Sequence, residues 1–128
     1  MIDLDPSTKP DRWAKKTRQQ YAAARRERLV ALLCARDYEA RMGERIAAGE
    51  EPDALPGPGY GQCARCHSYL SFDRLEIDHV DGGSWNKRAC NAWVRVARYW
   101  REFKEGVRLR ALCRSCNGGH LNFRRGPR

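Results

Sequence analysis

No apolar run in this chain approaches the roughly 20 residues that a membrane-spanning helix needs, so nothing in it reads as a bilayer span. The opening Met1-Ile2-Asp3-Leu4-Asp5-Pro6 is acidic and lacks the apolar core of a secretory signal, so a cytoplasmic location is the expectation. Proline is missing from Asp11 to Ala48, and nothing there forbids a helix. Acidic side chains are almost missing from two stretches. Arg12 to Arg28 holds seven Lys/Arg against Glu27 alone, and Lys87 to Arg128 holds twelve against Glu102 and Glu105. Internal repeats are absent apart from a doubled Cys-x-x-Cys. Without a secretory signal, six cysteines argue for metal rather than a disulfide framework.

What remains is small, soluble and basic. A chain of 128 residues is one domain with at most an appendage, and a core of that size gains from a metal staple. The net charge of +9 and pI of about 9.6 mark a polyanion binder, with nucleic acid the first candidate. A merely solvated basic surface is the bland alternative. Both basic stretches also carry aromatics, which favours nucleic acid.

Residues 1–10, with Pro6 and Pro10, read as a loose start, and Asp11 as a helix cap. From about Asp11 to Ala48 the composition predicts helix. Leu29 and Leu33 fall on one face, with Leu32 left open between that face and solvent, and Cys34, Tyr38, Met42 and Ile46 recur every four residues. Gly43 weakens a single long helix and leaves two open. Its basic first half, with Lys15, Lys16, Arg18 and Arg25, suits either an arm on a DNA backbone or a packing helix with a solvated face. Cys34, isolated on an apolar face, reads as a small buried hydrophobe. Glu50 to Gly61 holds three prolines and three glycines and reads as a linker. The expected organisation is an arm at 1–49, the linker at 50–61, a main domain at 62–123 and a basic tail at 124–128.

In the main domain, Leu75 to Val80 and Val107 to Leu112 alternate as strands. Trp85 to Lys104 has helical spacing, with Trp93 and Trp100 on the apolar stripe, and Gly106 is a natural stop. Arg95, Arg98 and Arg101 fall off that stripe, available for phosphates. A short helix is expected from Cys113 to about Phe123.

Two constellations carry chemistry. Cys63, Cys66, Cys113 and Cys116 form two Cys-x-x-Cys knuckles, the spacing that lets both sulfurs of a pair meet one zinc. Such a closed four-thiolate site is structural. His67 follows Cys66 but is not needed to complete the shell. The second constellation is Asp78, His79 and Asn117. An Asp carboxylate and an Asn carbonyl are hard oxygen ligands for Mg²⁺ or Mn²⁺, and a neutral histidine can take a proton from an attacking water. Adjacent residues of a strand point to opposite faces. For Asp78 and His79 to share a site, the strand must end or bend near Asp81-Gly82-Gly83. A structural acid–histidine step fits the same spacing.

Leu-Glu-Ile-Asp-His-Val-Asp-Gly-Gly followed by Leu-Arg-Ala-Leu-Cys-Arg-Ser-Cys-Asn resembles the HNH endonuclease superfamily. The similarity is greatest to phage-type members with two zinc knuckles, such as the recombination endonuclease VII family, and it spans about Gln62 to Asn122. The resemblance implies an α+β fold: a small zinc-stapled ββα-metal domain with an inserted helix and an N-terminal helical arm. It implies His79 as general base, one catalytic Mg²⁺ or Mn²⁺ on Asp78 and Asn117, structural zinc on the four cysteines, and DNA cleavage leaving 5′-phosphate ends. His120, three residues beyond Asn117, is a candidate third ligand or phosphate contact. Asp81 reads as a turn residue. Lys15, Lys16, Arg18, Arg25, Arg95, Arg98, Arg108 and Arg110 are the candidate DNA contacts. The family's middle asparagine is replaced by Arg108, leaving Asn86, Asn91 or Arg108 itself to fill that place. A homodimer and phage packaging or recombination partners remain open, with the host cytoplasm as the location for a phage protein. The competing reading is a non-catalytic zinc module that binds nucleic acid.

Overall fold

The computed structural model describes residues 15–82, 85 and 90–119. The chain is mixed α and β. Helix α1 spans Lys15–Ala47, strands β1 and β2 span Tyr60–Gln62 and Tyr69–Ser71, and β3 spans Leu75–His79. Helix α2 spans Ala92–Lys104, β4 spans Leu109–Cys113, and a helical turn covers Ser115–Gly119. The strands form two separate pairs, β1 with β2 and β3 with β4. No described helix is long and apolar enough to cross a membrane.

Helix α1 runs unbroken through Gly43 for 33 residues. One internal glycine costs about 1 kcal/mol against alanine, which the surrounding Ala, Leu, Arg and Glu outweigh. The stop is a backbone device. Gly49 takes φ +82°, its N–H bonds Ile46 O at 3.0 Å, and the Glu50 N–H bonds Arg45 O at 2.8 Å. This is the Schellman arrangement that glycine permits at the end of a helix. Residues 1–14, with the expected loose start and the Asp11 cap, lie outside the described residues.

The chain divides into two compact units. The first takes α1 up to Leu29 together with His79–Arg108. Here Val96, Tyr99 and Trp100 of α2 are buried, and Trp100 Nε1 donates to Arg25 O at 3.2 Å. Helix α2 begins at Ala92, later than the spacing from Trp85 suggests. Asn91 explains this, because its side chain accepts from the Val94 N–H at 2.9 Å and caps the helix. Gly106 ends it as expected, at φ +86°, with Val107 N–H on Glu102 O at 2.9 Å.

The second unit takes Val30–Asp78 with the chain from Leu109 onward. Its buried side chains include Leu33, Cys34 and Met42 of α1, Leu75 and Ile77 of β3, and Leu109, Ala111 and Leu112 of β4. Cys34 is the buried small hydrophobe that its position suggested, and burial first, then Asp37, pushes its thiol up to about 11. Leu32, whose face the spacing left open, is 37% exposed, and Ile46, last of the four-residue recurrence, is 59% exposed. The proline-rich segment is tied down: Tyr38 Oη donates to Asp53 O and Tyr69 Oη to Ala54 O, both at 2.6 Å. The Asp53 carboxylate also accepts from Gln62 and Arg45, which hold it below the usual carboxylate range. Strands β1 and β2 are antiparallel with Gly61 opposite Leu70.

Gly61 is required by close approach. A Cβ there would lie 2.5 Å from Cys34 Sγ and 3.2 Å from Phe72 Cε1. Gly61→Ala is expected to lose about 1–3 kcal/mol in urea denaturation through overpacking. Cys34→Ala in that background is expected to return part of the loss. An unchanged midpoint for Gly61→Ala would contradict the close contact.

Candidate metal centre and histidine site

The β1–β2 hairpin carries the first knuckle in its turn. Cys63 N–H bonds Ser68 O, and His67 N–H bonds Cys63 O, both at 2.9 Å. His67 takes φ +66° to close that turn and is exposed. The second knuckle begins on the last residue of β4, Cys113, and continues into the helical turn that holds Cys116. Ala64 N–H reaches Ala111 O at 2.9 Å, bringing the hairpin turn beside β4.

The four sulfurs then lie within 4.8 Å of one another. Zinc with thiolates at about 2.3 Å sets tetrahedral S···S edges of about 3.8 Å, and Cys66 Sγ and Cys113 Sγ are 3.8 Å apart. The amide N–H groups of Arg65 and Cys66 point at Cys63 Sγ, at 3.4 and 3.5 Å, and Cys116 N–H points at Cys113 Sγ at 3.3 Å. Such donors stabilise thiolates. Hydrogen bonding by Ser68 draws the Cys66 thiol down to about 6, whereas burial and then the neighbouring sulfurs push Cys116 up to about 12. Crowded thiols cannot all ionise alone; a divalent cation reverses that. The donor set fits zinc.

Strand β3 sorts the second constellation. Its exposure alternates: Leu75, Ile77 and His79 are buried, while Glu76 and Asp78 are half-buried. Glu76 and Asp78 therefore share one face. Asn117, next after Cys116, donates from Nδ2 to Glu76 Oε1 at 2.7 Å, which ties the second knuckle to that face. Arg110 Nε donates to Asp78 Oδ2 at 3.0 Å. Glu76, Asp78 and Asn117 offer the hard oxygens that Mg²⁺ or Mn²⁺ accepts. Among the described residues, the four cysteines alone form a group of three or more His, Cys, Asp or Glu close enough to share one ion.

His79 belongs to the first compact unit. The strand stays regular through it and gives way only at Val80–Asp81, so alternation turns His79 from the face of Asp78. The residue is 6% exposed. Its Nε2 lies 2.9 and 3.0 Å from the two carboxylate oxygens of Glu102 on α2. Glu102 also accepts from Trp85 Nε1 at 3.2 Å. The rings of Trp85 and Tyr99 flank the imidazole at 5.9 and 5.6 Å. His79 Nδ1 is buried with no hydrogen-bond partner among the described residues.

The basic candidates divide. Arg25, expected among the phosphate contacts, is instead 1% exposed, its guanidinium stacked 4.3 Å from the Trp93 ring and 4.8 Å from Tyr21. A weakly hydrated planar cation suits that slot. Arg110 is engaged by Asp78. Arg18 is half-buried, while Arg95 and Arg98 are exposed, with Arg98 over the Trp85 ring at 5.3 Å. Arg108 grips Asp81 through two bonds, at 2.6 and 3.2 Å, and holds that carboxyl below its ordinary range. Asp81 is a turn residue, and Asn91 is spent as the α2 cap. The side chains of Lys15 and Lys16, together with Gly83, Asn86, His120 and the tail, lie outside the described residues.

Sequence reasoning missed Glu76 and Glu102. Glu76 stands two positions before Asp78, so period-two alternation alone puts it on the same face. Glu102 is one of two acids among twelve bases in its stretch, and no spacing signal in the sequence links it to His79. No family model, curated protein or solved structure matches the chain.

The metal assignment has a direct check. Purified protein is expected to carry about one tightly held zinc per chain, and Cys113→Ser or a strong chelator is expected to unfold the knuckles. Elemental analysis showing no bound zinc would rule out the four-cysteine site.

Proposed function

We propose that this chain is a zinc-stapled nuclease of the ββα-metal (HNH) type that hydrolyses DNA phosphodiester bonds. The observation that carries the reading is the bond from Asn117 to Glu76. It ties the residue after the last cysteine to the strand face that bears Asp78. Cys113 and Cys116 would hold a zinc that keeps Asn117 there. Asp78 and Asn117 supply the oxygens for one Mg²⁺ or Mn²⁺, which would stabilise charge on the scissile phosphate and leaving oxygen. His79, next in the chain to Asp78, removes the proton from the attacking water. A buried imidazole nitrogen without a partner among the described residues is a costly feature for a side chain kept only for packing. The exposed Arg95, Arg98 and Arg108 contact the phosphate backbone, so binding weakens as salt rises. Arginine contacts of that kind position the duplex without reading its sequence.

A second reading has its own support. Asp78 is ion-paired to Arg110, and His79 is buried against Glu102 on the alternate face of β3. A non-catalytic zinc module that binds nucleic acid explains both pairs as structural.

Supercoiled plasmid separates the two. Wild type with Mg²⁺ or Mn²⁺ is expected to nick it, and a chelator to stop the reaction. His79→Ala is expected to cut at least about 100-fold more slowly, and Asn117→Ala to lose activity while still binding DNA. Cutting by His79→Ala at the wild-type rate would remove the base assignment. Tight DNA binding without cutting under any divalent metal would establish the binding module instead.

A further inference from the structure

We infer that Glu102 is a positioning residue that holds His79 as the Nε2–H tautomer and thereby makes Nδ1 the nitrogen that accepts a proton. The inference rests on the nuclease reading, deepens it, and assigns a task to helix α2.

The geometry carries it. Both carboxylate oxygens of Glu102 lie within 3.0 Å of His79 Nε2. A carboxylate accepts and does not donate, so the proton of the neutral ring sits on Nε2. The remaining nitrogen, Nδ1, then carries a lone pair. It is buried, diverges from Glu102 across the ring, and has no hydrogen-bond partner among the described residues. A histidine retained for packing would satisfy both nitrogens. Here one nitrogen is tied twice over and the other is left as an acceptor. The Trp85 N–H holds Glu102 from a second side at 3.2 Å, and the rings of Trp85 and Tyr99 limit rotation of the imidazole. The carboxylate is itself placed by the helix: Glu102 lies in the last turn of α2, and its carbonyl closes the Gly106 stop through the Val107 N–H. Orientation of a base through its far nitrogen is how a second carboxylate serves proton transfer without touching substrate.

The test reads the ring directly. Protein with ¹⁵N-labelled histidine has only His67, His79 and His120 to assign, and His67→Asn and His120→Asn identify their own signals. In mildly alkaline buffer, long-range ¹⁵N–¹H correlations are expected to show His79 protonated on Nε2 and bare on Nδ1. Glu102→Gln keeps the side-chain size but adds an amide donor that can face Nε2. It is expected to shift His79 toward the Nδ1–H form and to slow plasmid nicking at least about tenfold at unchanged DNA affinity. Glu102→Asp, which keeps a carboxylate, is expected to recover part of both, and backbone amide spectra matching wild type away from α2 verify folding of each variant. A wild-type His79 carrying its proton on Nδ1, or a Glu102→Gln ring still wholly Nε2–H, overturns the inference. Wild-type nicking that Glu102→Gln leaves unchanged also overturns it while leaving the nuclease reading intact. If wild type fails to nick, the nuclease reading falls, and the ring spectrum still decides whether Glu102 sets the tautomer.

Discussion

Four sulfurs meeting within 4.8 Å draw distant parts of the second unit's chain to one point. They come from chain positions that are far apart, with Cys66 and Cys113 separated by 47 positions. Closing a loop of that length costs about 3–4 kcal/mol of chain entropy. Structural zinc in small peptides returns about 10–16 kcal/mol, so an ion on these four sulfurs would outweigh the closure by a wide margin. Thiols so close, with Cys66 drawn toward thiolate and Cys116 pushed away from it, form a set that a cation completes.

Local contacts hang from that closure. Asn117 is delivered to Glu76 because it follows Cys116 in a turn with no room to wander. The charges on and beside β3 and β4 pair in graded exposure. Arg110 and Asp78 are 30% and 21% exposed in their side chains, whereas Arg108 and Asp81 are 67% and 69% exposed. Water screens the outer pair, so it holds little. The inner pair is screened less.

The first unit handles buried charge differently. Arg25 lies against Tyr21 and Trp93, where aromatic faces take the place of water around a guanidinium. The imidazole of His79 and the carboxylate of Glu102 offset each other's desolvation, helped by the Trp85 N–H. Both arrangements use aromatic rings of a segment that, read as a sequence, looks like a plain amphipathic helix.

Much of the fold was legible in the chain because local rules govern it. Period-two alternation marked β3 within one residue, absence of proline marked α1, and Gly106 marked the end of α2, since each signal concerns a residue and its near neighbours. The cysteine spacing was legible for the same reason: two residues between sulfurs make a knuckle whatever surrounds it. Asn91 moved the start of α2, and Gly43 failed to break α1, because a cap and a single glycine compete by about 1 kcal/mol with the whole helix around them. The partners of the charged residues were not legible. By itself the sequence determined which residues can ligate, titrate or bind phosphate, since that is side-chain chemistry. Only the tertiary structure decided that Arg25 is buried, that Asp78 meets Arg110 and that His79 meets Glu102. Those choices depend on which elements pack together and on how much water each pair keeps.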